Sequence, residues 1–172
     1  MAISNIEFKA SVADLETKES ILQNLNPVFI GEDHQVDTYF NVPFGRLKLR
    51  EGNIENALIQ YERINVTGSK LSQVLLYQHQ PDTALKEILV KSLGVKVVVN
   101  KTRRIYFIEN VKFHFDTIQN LGTFIEVEAI DTTGNIGELK LKEQCNHYQL
   151  LLNIADKDFI ALSYNDLVLA QL

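Results

Sequence analysis

"NVKFHFDTIQNLGTFIEVEA" (residues 110–129) holds two runs of period-2 alternation joined by a turn that ends at Gly122, the pattern of a β-hairpin. In the first run Lys112, His114 and Asp116 share one face, while Val111, Phe113 and Phe115 share the other. In the second run Glu126 and Glu128 oppose Ile125 and Val127. The apolar face must be buried. The ionisable face either meets solvent or lines a charged interior, and that alternative decides what kind of fold the chain makes.

The same alternation recurs outside the hairpin. "NIEFKA" (5–10) sets Asn5, Glu7 and Lys9 against Ile6 and Phe8, and "GRLKLRE" (45–51) sets Arg46, Lys48 and Arg50 against Leu47 and Leu49. "KVVVNKTRRIYFI" (96–108) is a long β-branched run with Lys101 and Arg103 in one parity. "QVDTYFNV" (35–42) is a further strand. "ALIQYER" (57–63) alternates less cleanly: Ile59, Tyr61 and Arg63 share a face, and Gln60 and Glu62 would face inward if Arg63 faced out. Helical spacing appears in "DLETKESILQNL" (14–25), with Ser11 as its expected cap, and in "DTALKEILVKSLG" (82–94), with Gly94 as its stop. The last forty or so residues, "ELKLKEQCNHYQLLLNI" (138–154) and "DKDFIALSYNDLVLAQL" (156–172), read as helical. Together these segments predict one α+β domain over 1–172, dominated by antiparallel strands whose apolar faces are covered by amphipathic helices.

Composition narrows the function classes. The chain has 172 residues, 45% hydrophobic and 23% charged, with a net charge of −5. That balance argues against non-specific nucleic-acid binding, which depends on neutralising phosphates. No apolar run approaches the roughly 18 residues of a membrane span, and the N-terminus lacks a signal-peptide pattern, so a cytoplasmic location follows by default. Cys145 stands alone, which removes a disulfide framework and a Cys-rich zinc site. The histidines His34, His79, His114 and His147 are scattered, and the P-loop, dinucleotide-binding and hydrolase-elbow motifs are absent. Tyr39, Tyr61 and Tyr106 could stack a base or simply pack in strands.

The charged faces carry the chemistry. Residues i and i+2 of a strand lie about 6.7 Å apart on one face, so Glu126 and Glu128 can reach one cation or two neighbouring ones. Hard ions such as Mg²⁺ and Mn²⁺ favour carboxylate oxygens, with water and phosphate completing the shell. Arg46, Lys48, Arg50, Lys101, Arg103 and Lys112 supply cations from at least three strands. Arg suits bidentate contact with phosphate, and Lys acts as a point charge. Cationic strand faces beside a carboxylate pair would handle a polyphosphate. The alternative is a set of exposed cross-strand ion pairs, each worth little.

These segments, in this order, resemble the CYTH superfamily, the triphosphate tunnel metalloenzymes, and within it the class IV adenylyl cyclases. "NIEFK" matches the second and third positions of the family's opening Glu-x-Glu-x-Lys; "QVDTYF", "GRLKLREG", "LIQYER", "KTRRIYFIENVKFHFD", "LGTFIEVEA" and "LSYNDL" follow in the expected order. The resemblance implies a closed antiparallel barrel of about eight strands, helices outside, and a polar lumen that binds a triphosphate. It implies Glu7, Glu126 and Glu128 as ligands of Mg²⁺ or Mn²⁺. Glu7, Lys9 and Asp116 would stand at the reacting centre. Lys9, Lys48, Arg50, Arg63, Lys101, Arg103 and Lys112 would hold phosphates. The resemblance implies turnover of ATP to cyclic AMP and pyrophosphate, with a triphosphatase (inorganic, thiamine or nucleoside triphosphate) or a non-catalytic nucleotide or polyphosphate binder as the alternatives. A homodimer is also open, through an outer barrel face that no helix covers. One departure stands out: the family's first Glu is Asn5 here, which gives up a full negative charge at the metal.

Overall fold

The computed structural model describes residues 3–63 and 67–171, with the backbone alone at residues 3 and 63. Its strands are β1 (Ile3–Ser11), β2 (Val28–Phe40), β3 (Arg46–Glu51), β4 (Ala57–Arg63), β5 (Lys70–Gln78), β6 (Val95–Ile108), β7 (Val111–Ile118) and β8 (Gly122–Asp131). They close into a barrel in the order β1-β5-β4-β3-β2-β6-β7-β8, antiparallel at every pairing. Four helices accompany it among the described residues: α1 (Leu15–Gln23), α2 (Thr83–Leu93), α3 (Glu138–Leu151) and α4 (Tyr164–Leu169). The α+β class and the closed barrel are as expected. None of the helices is long and apolar enough to cross a membrane.

The opening hairpin is β7–β8, and its register pairs His114 with Glu126 and Lys112 with Glu128. Gly122 closes the turn at φ +107°, a conformation that L side chains resist. Val111, Phe113, Phe115, Ile125 and Val127 point outward into one core with Phe8 of β1, Leu22 of α1, and Leu141, Cys145 and Tyr148 of α3. Burying each large apolar side chain contributes about 1.5–3 kcal/mol. A one-residue slip would place Lys112, His114 and Glu126 under α3 instead, so this core fixes which face looks inward. A second cluster plugs one end of the barrel: Tyr39, Ile59, Tyr61, Val97, Val99, Phe124 and Tyr164.

Several local expectations need correction. Helix α1 is capped by Asp14, whose side chain accepts from Thr17 N–H at 3.2 Å, because Ser11 is still paired in β1. Helices α1 and α3 cover the barrel as expected, but α2 buries none of its residues, and Ile88 is 60% exposed. The C-terminal stretch is not continuously helical. After a 3-10 turn over Asp156–Asp158 the chain runs extended, Ile160 N–H donating to Lys9 O at 2.8 Å, before α4 begins. Helix α4 restarts where Asp166 accepts from the Ser163 amide and hydroxyl, at 3.3 and 2.7 Å. Strand β5 was not anticipated, and β2 begins at Val28, seven residues before the expected strand.

Candidate functional site

The inward parity of the strands surrounds a cavity of about 490 Å³, within the usual size range of small-molecule sites. Strand β1 contributes Asn5, Glu7 and Lys9, and β3 contributes Lys48 and Arg50. Strand β6 contributes Lys101 and Arg103, β7 Lys112 and His114, and β8 Glu126 and Glu128. The sequence-predicted cations and carboxylates therefore meet in one interior, with three exceptions. Asp116 is fully buried behind Arg103 rather than in the cavity wall. Arg63 has a described backbone in β4, but its side chain lies outside the described residues. Arg46, although on β3, turns to Asp166 at 3.1 Å, away from this cavity.

A residue that strand spacing did not single out organises the cationic wall. Asp37 of β2 is 1% exposed and accepts from Lys101 Nζ at 2.6 Å, Lys48 Nζ at 3.0 Å, and Arg50 Nε and Nη2 at 2.9 Å each. Burial opposes its charge, but Arg50, Lys101 and Lys48 outweigh that and hold the carboxyl well below the usual range. Lys101 is pushed well below the usual lysine range by burial and by the neighbouring Arg50, Arg103 and Lys48, although Asp37 works the other way. Asp37 alone does not balance Lys48, Arg50 and Lys101, and an anion would complete what Glu55 begins at Arg50. Glu55, also unforeseen, reaches in from the loop after β3, accepting from Arg50 Nη1 at 2.8 Å and from Lys112.

A second buried network fixes Arg103. Its Nε and Nη2 donate to Asp116 at 2.7 and 2.6 Å, and Nη2 reaches Glu126 at 3.1 Å. Tyr164 O–H, from α4, donates to Asp116 at 2.7 Å, and the Tyr164 ring lies 3.8 Å under Lys9 Nζ. "LSYNDL" carries part of the family resemblance, but the role of Tyr164 depends on the long-range contacts that α4 makes with Asp116 and Lys9. Tyr39 and Tyr61 line the cavity, whereas Tyr106 sits in the outer core and donates to Glu19 at 2.6 Å.

The carboxylates gather at β1 and β8. Register places Glu7 opposite Glu128 and Lys9 opposite Glu126. Glu126 stays ionised well below the usual carboxylate range: burial opposes the charge, and Lys9 and Arg103 overcome it. Burial together with the charges of Glu126 and Glu7 pushes Glu128 up to about 7. His114, 1% exposed, is pushed down to about 3 by burial and by Arg103 and Lys112, so its imidazole is neutral. A ligand atom from each of His114, Glu126 and Glu128 lies within 4.8 Å of the others. Among the described residues, both His114 nitrogens and Asn5 Oδ1 are buried without a hydrogen-bond partner. Buried polar atoms are rarely orphaned. This donor set, with carboxylates that repel one another, fits a divalent cation.

A sequence profile of the CYTH domain matches residues 4–162. A Methanocaldococcus jannaschii protein with a provisional adenylate cyclase name is 27% identical over 94% of this chain and 97% of its own length. A Pyrococcus horikoshii structure superposes with a TM-score of 0.76 at 23% identity, covering 95% of this chain and 98% of its own. A Hippeastrum protein, described as a provisional adenylyl cyclase with a dominant triphosphatase activity, superposes with a TM-score of 0.63 at 13% identity, covering 99% and 96%. Profile match and barrel agree: the chain belongs to the CYTH domain family.

Proposed function

We propose that this chain is a metal-dependent enzyme acting on a triphosphate inside the barrel, as an adenylyl cyclase of the class IV type that converts ATP to cyclic AMP and pyrophosphate. The observation that carries the proposal is the division of the cavity: cations from β3, β6 and β7 on one side, carboxylates from β1 and β8 on the other. Lys48, Arg50, Lys101, Arg103 and Lys112 hold the phosphate oxygens, and the phosphates share the cations that also pair with Asp37 and Glu55. Lys9 contacts the phosphate nearest the carboxylates. Asp116 is a positioning residue, since its carboxylate orients Arg103 through two hydrogen bonds. The 3′-hydroxyl attacks the α-phosphorus and gives its proton to water, the bond from that phosphorus to the bridging oxygen breaks, and pyrophosphate leaves among the cations. Glu7, Glu126 and Glu128 would hold Mg²⁺ or Mn²⁺, which supplies acidification of the attacking hydroxyl and shielding of phosphate charge.

Triphosphate hydrolysis is the second reading. It is favoured by the activity ascribed to the Hippeastrum protein and by a wall that would grip any triphosphate. Asn5 supports a third, binding without turnover. Incubation with ATP and Mg²⁺ or Mn²⁺, followed by separation of the products, tests all three. Cyclic AMP is the expected product. Orthophosphate in its place would make the chain a triphosphatase, and bound but unreacted ATP would make it a binder.

A further inference from the structure

Carboxylate oxygens alone do not account for the β7–β8 edge of the cavity. His114 stands in register with Glu126 on the neighbouring strand. Its Nδ1 lies 3.5 Å from Glu128 Oε1 and 3.9 Å from Glu126 Oε2, too far for a hydrogen bond to either. Those separations match donor atoms arranged around one ion, because bonds of about 2.1 Å put adjacent ligands about 3–4 Å apart. The imidazole is buried and faces the cavity, yet neither nitrogen has a hydrogen-bond partner among the described residues. Asn5, opposite Ile130 on β8, also lines the cavity with an unpartnered Oδ1. Leaving both nitrogens of a buried imidazole unsatisfied costs stability unless something else occupies them.

We propose that His114 is a metal ligand, forming with Glu126 and Glu128 a nitrogen-containing site that selects Mn²⁺ and Co²⁺ over Mg²⁺. Imidazole suits transition metals, whereas Mg²⁺ prefers an all-oxygen shell and keeps its waters. Glu126 Oε2 already lies 3.1 Å from Arg103 Nη2 and 3.9 Å from Lys9 Nζ, so an ion must compete with those cations. A ligand that binds the metal more strongly than water offsets that competition. The inference rests on the cavity being a divalent-metal site, but it does not require turnover of any nucleotide.

The test uses the full chain and metal alone. Calorimetric titration with MnCl₂, CoCl₂ and MgCl₂ should show Mn²⁺ and Co²⁺ binding at least about tenfold more tightly than Mg²⁺. Pulsed electron paramagnetic resonance of the Mn²⁺ complex should show nitrogen coupling from a coordinated imidazole. His114→Gln, verified as folded by circular dichroism, should lose that coupling and most of the preference. The wild-type spectrum decides the matter even if the variant fails to fold. Mn²⁺ bound without nitrogen coupling, coupling that survives in a folded His114→Gln, or no Mn²⁺ binding at millimolar concentration would each overturn the proposal. Cyclic AMP formed with Mg²⁺ by a protein lacking the coupling would overturn this inference and leave the enzymatic reading standing.

Discussion

Asp131 ends β8 with its carboxylate turned onto the following loop, where it accepts from the backbone N–H groups of Thr133, Gly134, Ile136 and Gly137 at 2.6–3.2 Å. Burial opposes the charge, but the amides of Gly137, Ile136, Gly134 and Thr133 prevail and lower its pKa from the ordinary 3.8 to about 2. The charged form is thus favoured in the folded state. The stability it contributes is fully present above pH 3.8 and is lost as pH falls through about 2. Acid unfolding of wild type and Asp131→Asn, followed by circular dichroism, should diverge above pH 3.8 and converge below 2. An offset that stays constant across that range would contradict this account of the loop. Within the cavity, residues with strict parity on a strand could be identified from sequence: Glu7, Lys9, Lys48, Arg50, Lys101, Arg103, Lys112, His114, Glu126 and Glu128 all line it. Asp37 and Tyr164 could not, because their roles depend on partners 64 and 48 residues away, Lys101 and Asp116.

At the scale of elements, clean alternation made β1, β3, β6, β7 and β8 legible, because each has one apolar face and one polar face. Strand β5 escaped because apolar residues occupy both of its faces: Val74 and Leu76 line the cavity, while Leu71, Leu75 and Tyr77 are 41–66% exposed outside. The C-terminal segment departs from its helical pattern for another reason. Its extended part is held by a long-range bridge, Ala10 to Phe159, that no local pattern encodes. The loop after β3 is similarly tertiary. Asp33 accepts from the amides of Ile54 and Glu55 at 2.9 Å each, which aims Glu55 at Arg50 and Lys112. A Cβ at Gly52 would lie 2.6 Å from Asp33 Oδ1 and 2.8 Å from Glu55 O. Gly52→Ala should therefore cost about 1–3 kcal/mol in denaturant unfolding and pull Glu55 from its cations. An unchanged unfolding midpoint would mean that the loop tolerates the displacement and does not set Glu55.

For the molecule as a whole, closure of the sheet converts weak surface patterns into one buried electrostatic unit. Exposed cross-strand ion pairs contribute little, but the same residues inside a barrel lose water and depend on one another for neutrality. The outer core under α1 and α3 fixes that orientation, and the interior remains a wall of cations organised around Asp37 and ready for an anion. The central claim is that this interior is a triphosphate site. The most direct test is calorimetric titration of inorganic tripolyphosphate into wild type, Lys48→Met, and Lys91→Met as a control on exposed α2. Removing one charge-assisted contact of about 1.5–3 kcal/mol should weaken binding by ten- to a hundredfold in Lys48→Met. Lys91→Met should bind like wild type. Equal affinities in all three proteins, or no binding to wild type, would contradict the account.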